Sequence, residues 1–226
     1  MNGLSGIHGL GDAWLLLLRP GLIGAALCVM CGVLSVPAVL KRLSFAGQGI
    51  SHSAFGGVGV AAVIGALVSG GGVVGVGQGG LLEFAVVLVF CVGAALLMSA
   101  VGDRRATHED TGIGMLLVAA MALGGLLVEV ARQIALARGL APSARTWESV
   151  LFGSVMVAGD DDVLLAWCVA AVVVGTAWWF RRPLLFWTLD GQSAPVFGVR
   201  AGLMRPLLMT LLAVAVVTSM RLAGVV

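Results

Sequence analysis

The chain has 226 residues, 60% of them hydrophobic and only 11% charged, with 34 glycines and no tyrosine. Soluble domains carry about 25% charged residues, so this composition, with a mean hydropathy of +1.09, excludes a soluble enzyme and reads as an integral membrane protein. A net charge of +2 spread along the chain also excludes a nucleic-acid partner, which needs concentrated positive charge.

A hydrocarbon core of about 30 Å is crossed by about 20 mostly apolar helical residues. Residues 4–18, with His8 and Asp12, read as an interfacial helix leading into the first span. They lack the basic start and small-residue cleavage site of a signal peptide. Residues 21–40 carry no charge and form the first span, with Pro37 near its end. No Asp, Glu, Lys or Arg occurs between Leu43 and Leu82; residues 50–68 read as a second span, followed by a glycine-rich loop at 69–80. Residues 84–101, 111–128 and 163–180 give three further spans, and 207–226 a sixth, interrupted only by Arg221. The apolar stretch 150–157 is too short to cross and reads as a re-entrant or half helix. The expected fold is all-α, a polytopic transmembrane helix bundle of about six spans plus that short segment. It forms one membrane domain over residues 1–226, multi-pass in the cell membrane, with abundant glycine suited to close helix packing.

Basic residues set the orientation. Lys41, Arg42, Arg104, Arg105, Arg181, Arg182, Arg200 and Arg205 fall on one side of this topology, against Arg19, Arg132, Arg138, Arg145 and Arg221 on the other. The first set is expected in the cytoplasm, with the N-terminus outside.

Polar groups in lipid are costly, about 2.5–3.5 kcal/mol for a charge on insertion scales, so each needs a reason. His52 lies ten residues past Arg42, which at 1.5 Å per residue is about 15 Å into the bilayer. Gln48 is four residues earlier and shares its helical face. Two readings stand side by side: hydrogen-bonded glue between helices, or a ligand pair on a polar pathway. Ser51 and His52 are adjacent and point about 100° apart, so they do not form a nucleophile and base. The run Thr107-His108-Glu109-Asp110-Thr111 opens the fourth span; it reads first as a helix cap and second as a set of ligands at a membrane-buried mouth. Asp160, Asp161 and Asp162 cap the fifth span in the same way. Cys28, Cys31, Cys91 and Cys168 lie in apolar runs and read as packing residues. No GxxxxGK[ST] phosphate loop occurs, so any ATPase must be a separate chain.

Four stretches, in order, resemble the membrane subunits of ABC transporters for zinc, manganese and iron. Residues 41–58, from Lys41-Arg42-Leu43-Ser44-Phe45 through Gln48, Ser51-His52-Ser53 and Gly56-Gly57-Val58, resemble that family's RRLSF-x-GDA-x-SHA-x-x-PGV. Glu109-Asp110-Thr111-Gly112-Ile113-Gly114 through Ala122-Leu123-Gly124 is similar to its EDAAIG…ALG; Leu151-Phe152-Gly153-Ser154-Val155 to its LFGSI; and Ala194 through Gly198-Val199 to the A-x-x-x-GV of its cytoplasmic loop. The resemblance implies a permease that performs no enzymatic chemistry and holds no permanent cofactor, with a divalent metal ion as cargo. Its implied partners are a cytoplasmic ABC ATPase, an extracytoplasmic metal-binding protein, a second copy of the chain and the lipid bilayer. Carried over by motif, the metal path falls on His52, Asp110 and Gln48. The ATPase-coupling loop falls on Asp190, Ala194, Gly198 and Val199, with a short helix expected to begin near Ala194 or Pro195.

Three departures accompany the resemblance. Gln48 stands where the family has an acid, Gly56 stands where it has proline, and the chain stops at Val226, where the family continues through roughly two more helices. With one carboxylate fewer, the site is expected to favour zinc over manganese. The alternatives are a permease for a metal chelate of siderophore or cobalamin type, and a non-transporting membrane scaffold.

Overall fold

The computed structural model describes residues 10–68, 81–104, 109–138, 160–191, 193–198 and 201–223. These form seven α-helices and one 3-10 turn: α1 (Leu10–Leu40), α2 (Ser44–Val68), α3 (Leu81–Arg104), α4 (Glu109–Ala137), α5 (Asp160–Trp179), α6 (Arg181–Leu189), a 3-10 helix (Ala194–Phe197) and α7 (Ala201–Ala223). Among the described residues there is no strand. Five helices hold stretches long and apolar enough to cross a membrane, and α3 holds a shorter sixth, Phe84–Ala100. The all-α multi-span expectation holds, while the half helix expected at 150–157 lies outside the described residues.

Three boundaries differ from the sequence reading. The first helix is continuous from Leu10, about 46 Å at 1.5 Å per residue, and runs through both Pro20 and Pro37. The last begins at Ala201 and passes through Pro206, ahead of the span expected from residue 207; Thr210 Oγ donates to the Pro206 carbonyl at 2.8 Å. Residues 181–189, for which the sequence reading has no element, form α6, with Leu184, Trp187 and Thr188 buried along one face.

The helices fall into two groups. In one, α2 lies against α4 and α3; in the other, α1 lies against α5 and α6. α7 sits between them, touching α1, α2, α3 and α5. Its Leu208, Met209, Leu211, Ala213, Ala215, Val217 and Leu222 are all buried, as expected of a helix apolar around its circumference. α1 and α2 are joined by a tight corner yet do not pack along each other. The corner is a Schellman closure: Leu43 N–H donates to the Ala38 carbonyl at 2.9 Å and Arg42 N–H to that of Val39 at 3.0 Å. It requires a left-handed residue, and Arg42 supplies it with φ +55°.

The outside of the bundle is apolar. Val89, Met115 and Val172 are exposed, as suits contact with lipid. Cys28, Cys31 and Cys168 are exposed as well, and Cys91 is the buried one, so the packing role expected of all four fits Cys91 alone. At the junction of α5 and α6, exposed Trp178 lies under the Arg181 guanidinium at 4.3 Å, an aromatic–cation pairing suited to a membrane–water boundary.

Candidate metal path and coupling segment

The first half of α2 carries the polar turn. Gln48 is exposed, whereas Ser51 and His52 are half-buried. Ser51 Oγ donates to the Gln48 carbonyl at 2.9 Å and Ser53 Oγ to that of Ile50 at 2.7 Å, so both hydroxyls are satisfied by their own helix. The His52 ring stacks on Phe55, with centroids 6.2 Å apart and planes inclined by 17°. Its Nδ1 is buried and has no hydrogen-bond partner. A buried ring nitrogen left unsatisfied is costly.

Helix α4 is held beside this turn by close backbone approach. A Cβ at Gly49 would lie 2.8 Å from Ile113 Cγ2; one at Gly59, 2.8 Å from the Gly124 carbonyl oxygen; one at Gly124, 2.6 Å from the Phe55 carbonyl oxygen. The two helices therefore run side by side in fixed register, with Ile113 level with Gly49. Asp110 stands three residues earlier, in the first turn of α4. Its side chain lies outside the described residues, as do His108 and the third motif at 151–155. Among the described residues no three His, Cys, Asp or Glu side chains converge. The backbone register thus brings Gln48 and the start of α4 to one region.

Gly56, where the resembling family has proline, shows what its site demands: a Cβ there would lie 2.6 Å from the Phe90 ring and 3.2 Å from the Ala120 carbonyl oxygen. The glycines at 49, 56 and 59 lie along one stripe of α2, a spacing the sequence displays but whose partner on α4 it does not.

At the end of the bundle where α1 turns into α2, α6 leads into the candidate coupling segment. Asp190 follows the helix, and its Oδ1 accepts the Ser193 N–H at 3.1 Å, ordering the turn before the 3-10 helix. The helical turn begins at Ala194, where the sequence places it. Ala194 is fully buried and faces inward; Gly198 is exposed in a left-handed conformation, φ +76°. Val199 lies outside the described residues. Exposed Phe197, which packs edge-on to Phe186 at 5.1 Å, was not singled out from the sequence; an aromatic inside a small-residue loop is the signal for it.

At the opposite end, Arg138 Nη1 donates to the Ala66 and Leu67 carbonyls, capping α2 at 2.8 and 3.1 Å. Arg221 of α7 lies 3.7 Å from Asp162 of α5 and 5.0 Å over the Phe84 ring of α3. Asp162 is therefore an ion-pair partner as well as a residue of the first turn of α5.

Comparisons with known proteins place this geometry. The chain is 29% identical over 213 residues to a probable metal transport system membrane protein of Thermotoga maritima, covering 92% of this chain and 66% of that protein. It is 26% identical over 226 residues to the manganese import system permease protein ScaB of Streptococcus parasanguinis, covering 100% and 69%. Its fold resembles that in the structure of PsaBC from Streptococcus pneumoniae in complex with Fab, with a TM-score of 0.67 and 24% identity over 93% of this chain and 67% of that one. The chain thus spans about two thirds of the length of these relatives. A model of the ABC 3 transport family matches residues 15–226, from within the first helix through the last. The chain belongs to the ABC 3 transport family and is a multi-pass membrane protein.

Proposed function

We propose that this chain is the membrane-spanning permease subunit of an ABC transporter that imports a divalent metal ion. The observation that carries the reading is His52: a half-buried imidazole on an apolar helix with Nδ1 buried and unpartnered, one turn beyond Gln48 on the same face and beside the start of α4. The relatives whose names include a metal system support it. In this reading His52, Gln48 and Asp110 contribute to the metal path. In this reading the subunit works with a second copy of the chain as a homodimer. The orientation follows the basic residues, with α6 and the 3-10 helix in the cytoplasm against a separate ABC ATPase, and an extracytoplasmic metal-binding protein at the other end.

The metal is taken as manganese, the ion in the name of the ScaB relative. Gln48, a neutral amide in the position where the resembling pattern has an acid, favours zinc as the second reading. The test is uptake of radiolabelled manganese and zinc into vesicles holding the chain with its ATPase and binding protein. His52→Ala is expected to remove uptake while leaving assembly intact, and Gln48→Asp to raise manganese relative to zinc. Normal uptake by His52→Ala would return His52 to the role of structural glue.

A further inference from the structure

The coupling segment and the polar turn of α2 are far apart in sequence, and α2 and α6 do not pack on one another. Besides the packing of α6 on α1 and α7, one charged side chain joins α6 to the corner before α2. Lys41, last residue before the left-handed corner, has its ammonium 4.3 Å from the centre of the Trp187 ring on α6. Trp187 is buried, so the ring cannot swing to follow a free lysine. Gly191 closes the third side: a Cβ there would lie 2.9 Å from Lys41 Nζ and 3.4 Å from the Trp187 carbonyl oxygen. Burial holds the Lys41 pKa below the ordinary lysine value, Arg205 adds to the depression, and Asp190 opposes it. Lys41 is half-buried, and the Trp187 ring is the aromatic face its ammonium meets.

Both sides of the contact are stiff. On one, Phe186 against Phe197 and Asp190 bonded to Ser193 tie the end of α6 to the 3-10 helix. On the other, the Lys41 N–H bonds to the Pro37 carbonyl at 3.1 Å, and the Arg42 and Leu43 bonds close the corner immediately before α2. The contact thus joins α6 and the 3-10 helix to the N-terminus of α2, and Gln48 and His52 lie within the first nine residues of that helix.

We propose that Lys41 is a positioning residue: its contact with Trp187 is the joint that carries movement of the coupling segment to α2 and so to the Gln48–His52 face. The proposal rests on the import reading given above, and two measurements keep the two apart. The first needs only the full chain in nanodiscs, with nitroxides at Phe45→Cys and at Leu189→Cys, an exposed residue at the end of α6, in a background without native cysteines. The distance distribution is expected to be narrow in the parent chain and in Lys41→Arg, which keeps a cation over the ring, and clearly broadened in Lys41→Met. The second uses vesicles with the ATPase and binding protein. There Lys41→Met is expected to lower metal moved per ATP hydrolysed by about fivefold at an unchanged hydrolysis rate, with Lys41→Arg restoring the ratio. Simple loss of assembly would lower both rates together. Should Lys41→Met not fold, Gly191→Ala pushes the ammonium off the ring without removing it and is expected to shift both readouts the same way. An unchanged distance distribution, or an unchanged transport-to-hydrolysis ratio, overturns the joint. A parent chain that moves no metal overturns the import reading alone, and the distance measurement then decides the joint by itself.

Discussion

The α2–α4 and α1–α5 pairs are built from similar residues and held together in opposite ways. Between α2 and α4, glycine is the contact: Gly49, Gly59 and Gly124 each face an atom of the other helix closer than any Cβ could be. Where α1 lies against α5 the buried side chains are Ile23, Ala26, Met30 and Leu34 on α1 and Ala166, Ala170, Val173 and Ala177 on α5, none of them glycine. There the glycines at 21, 24, 32 and 175 meet nothing within 4 Å. In a membrane, association depends on packing more than on escape from water, so close backbone approach makes α2 and α4 a unit, while α1 and α5 are set by side-chain shape. The same residue type is structural in one region and incidental in the other.

The sharpest way to break this contrast is at Gly124. Its neighbour is the Phe55 carbonyl, backbone that cannot rotate aside. Gly124→Leu is expected to yield no folded protein by size-exclusion chromatography, and Gly124→Ala to cost about 1–3 kcal/mol in a detergent thermal melt. On α1, Leu34→Ala leaves a void rather than a clash. The expected cost is about 2 kcal/mol, at the low end for such truncations because lipid is already apolar; a loss as severe as that of Gly124→Leu would show that α1 is no more forgiving than α4. The smallest effect is expected at Gly24 and Gly32, where Ala meets open space and recovers about 0.5–1 kcal/mol of helix propensity. Melting temperatures should stay level or rise. A fall matching that of Gly124→Ala would erase the distinction between the two helix pairs.

Much of the architecture is legible in the sequence because lipid imposes a length and a polarity on each span. The uncharged run after Leu43 and the four-residue spacing of Gln48 and His52 need no partner to be read, and both reappear in α2. What is not legible depends on contacts across the fold. Gly59 meets Gly124, and Lys41 meets Trp187; no local pattern announces either pairing. Helix α6 is missed for a different reason: it is nine residues long, opens on Arg181-Arg182-Pro183 and is followed by Asp190, so it resembles a loop by composition. Its apolar face shows at 184, 187 and 188, a helical spacing in a segment too short for periodicity to stand out. The candidate site is half legible for the same reason. Residues on one helix face can be read in advance, whereas the unpartnered state of His52 Nδ1 belongs to the packed molecule.

Arg42 carries a consequence that lies outside the finished fold. Its left-handed backbone costs a side-chain-bearing residue about 1–2 kcal/mol, a cost glycine would escape, and this chain has glycine in abundance. A counterweight follows from the positive-inside rule. As the first helical hairpin enters the bilayer, the charges of Lys41 and Arg42 decide which leaflet keeps the bend, and drawing a charge to mid-membrane costs about 2.5–3.5 kcal/mol. Glycine at this position would give an easier corner and a less decided insertion. Arg42 thus joins two demands at one position, a left-handed corner and a positive charge at the bend of the hairpin, and glycine could meet only the first.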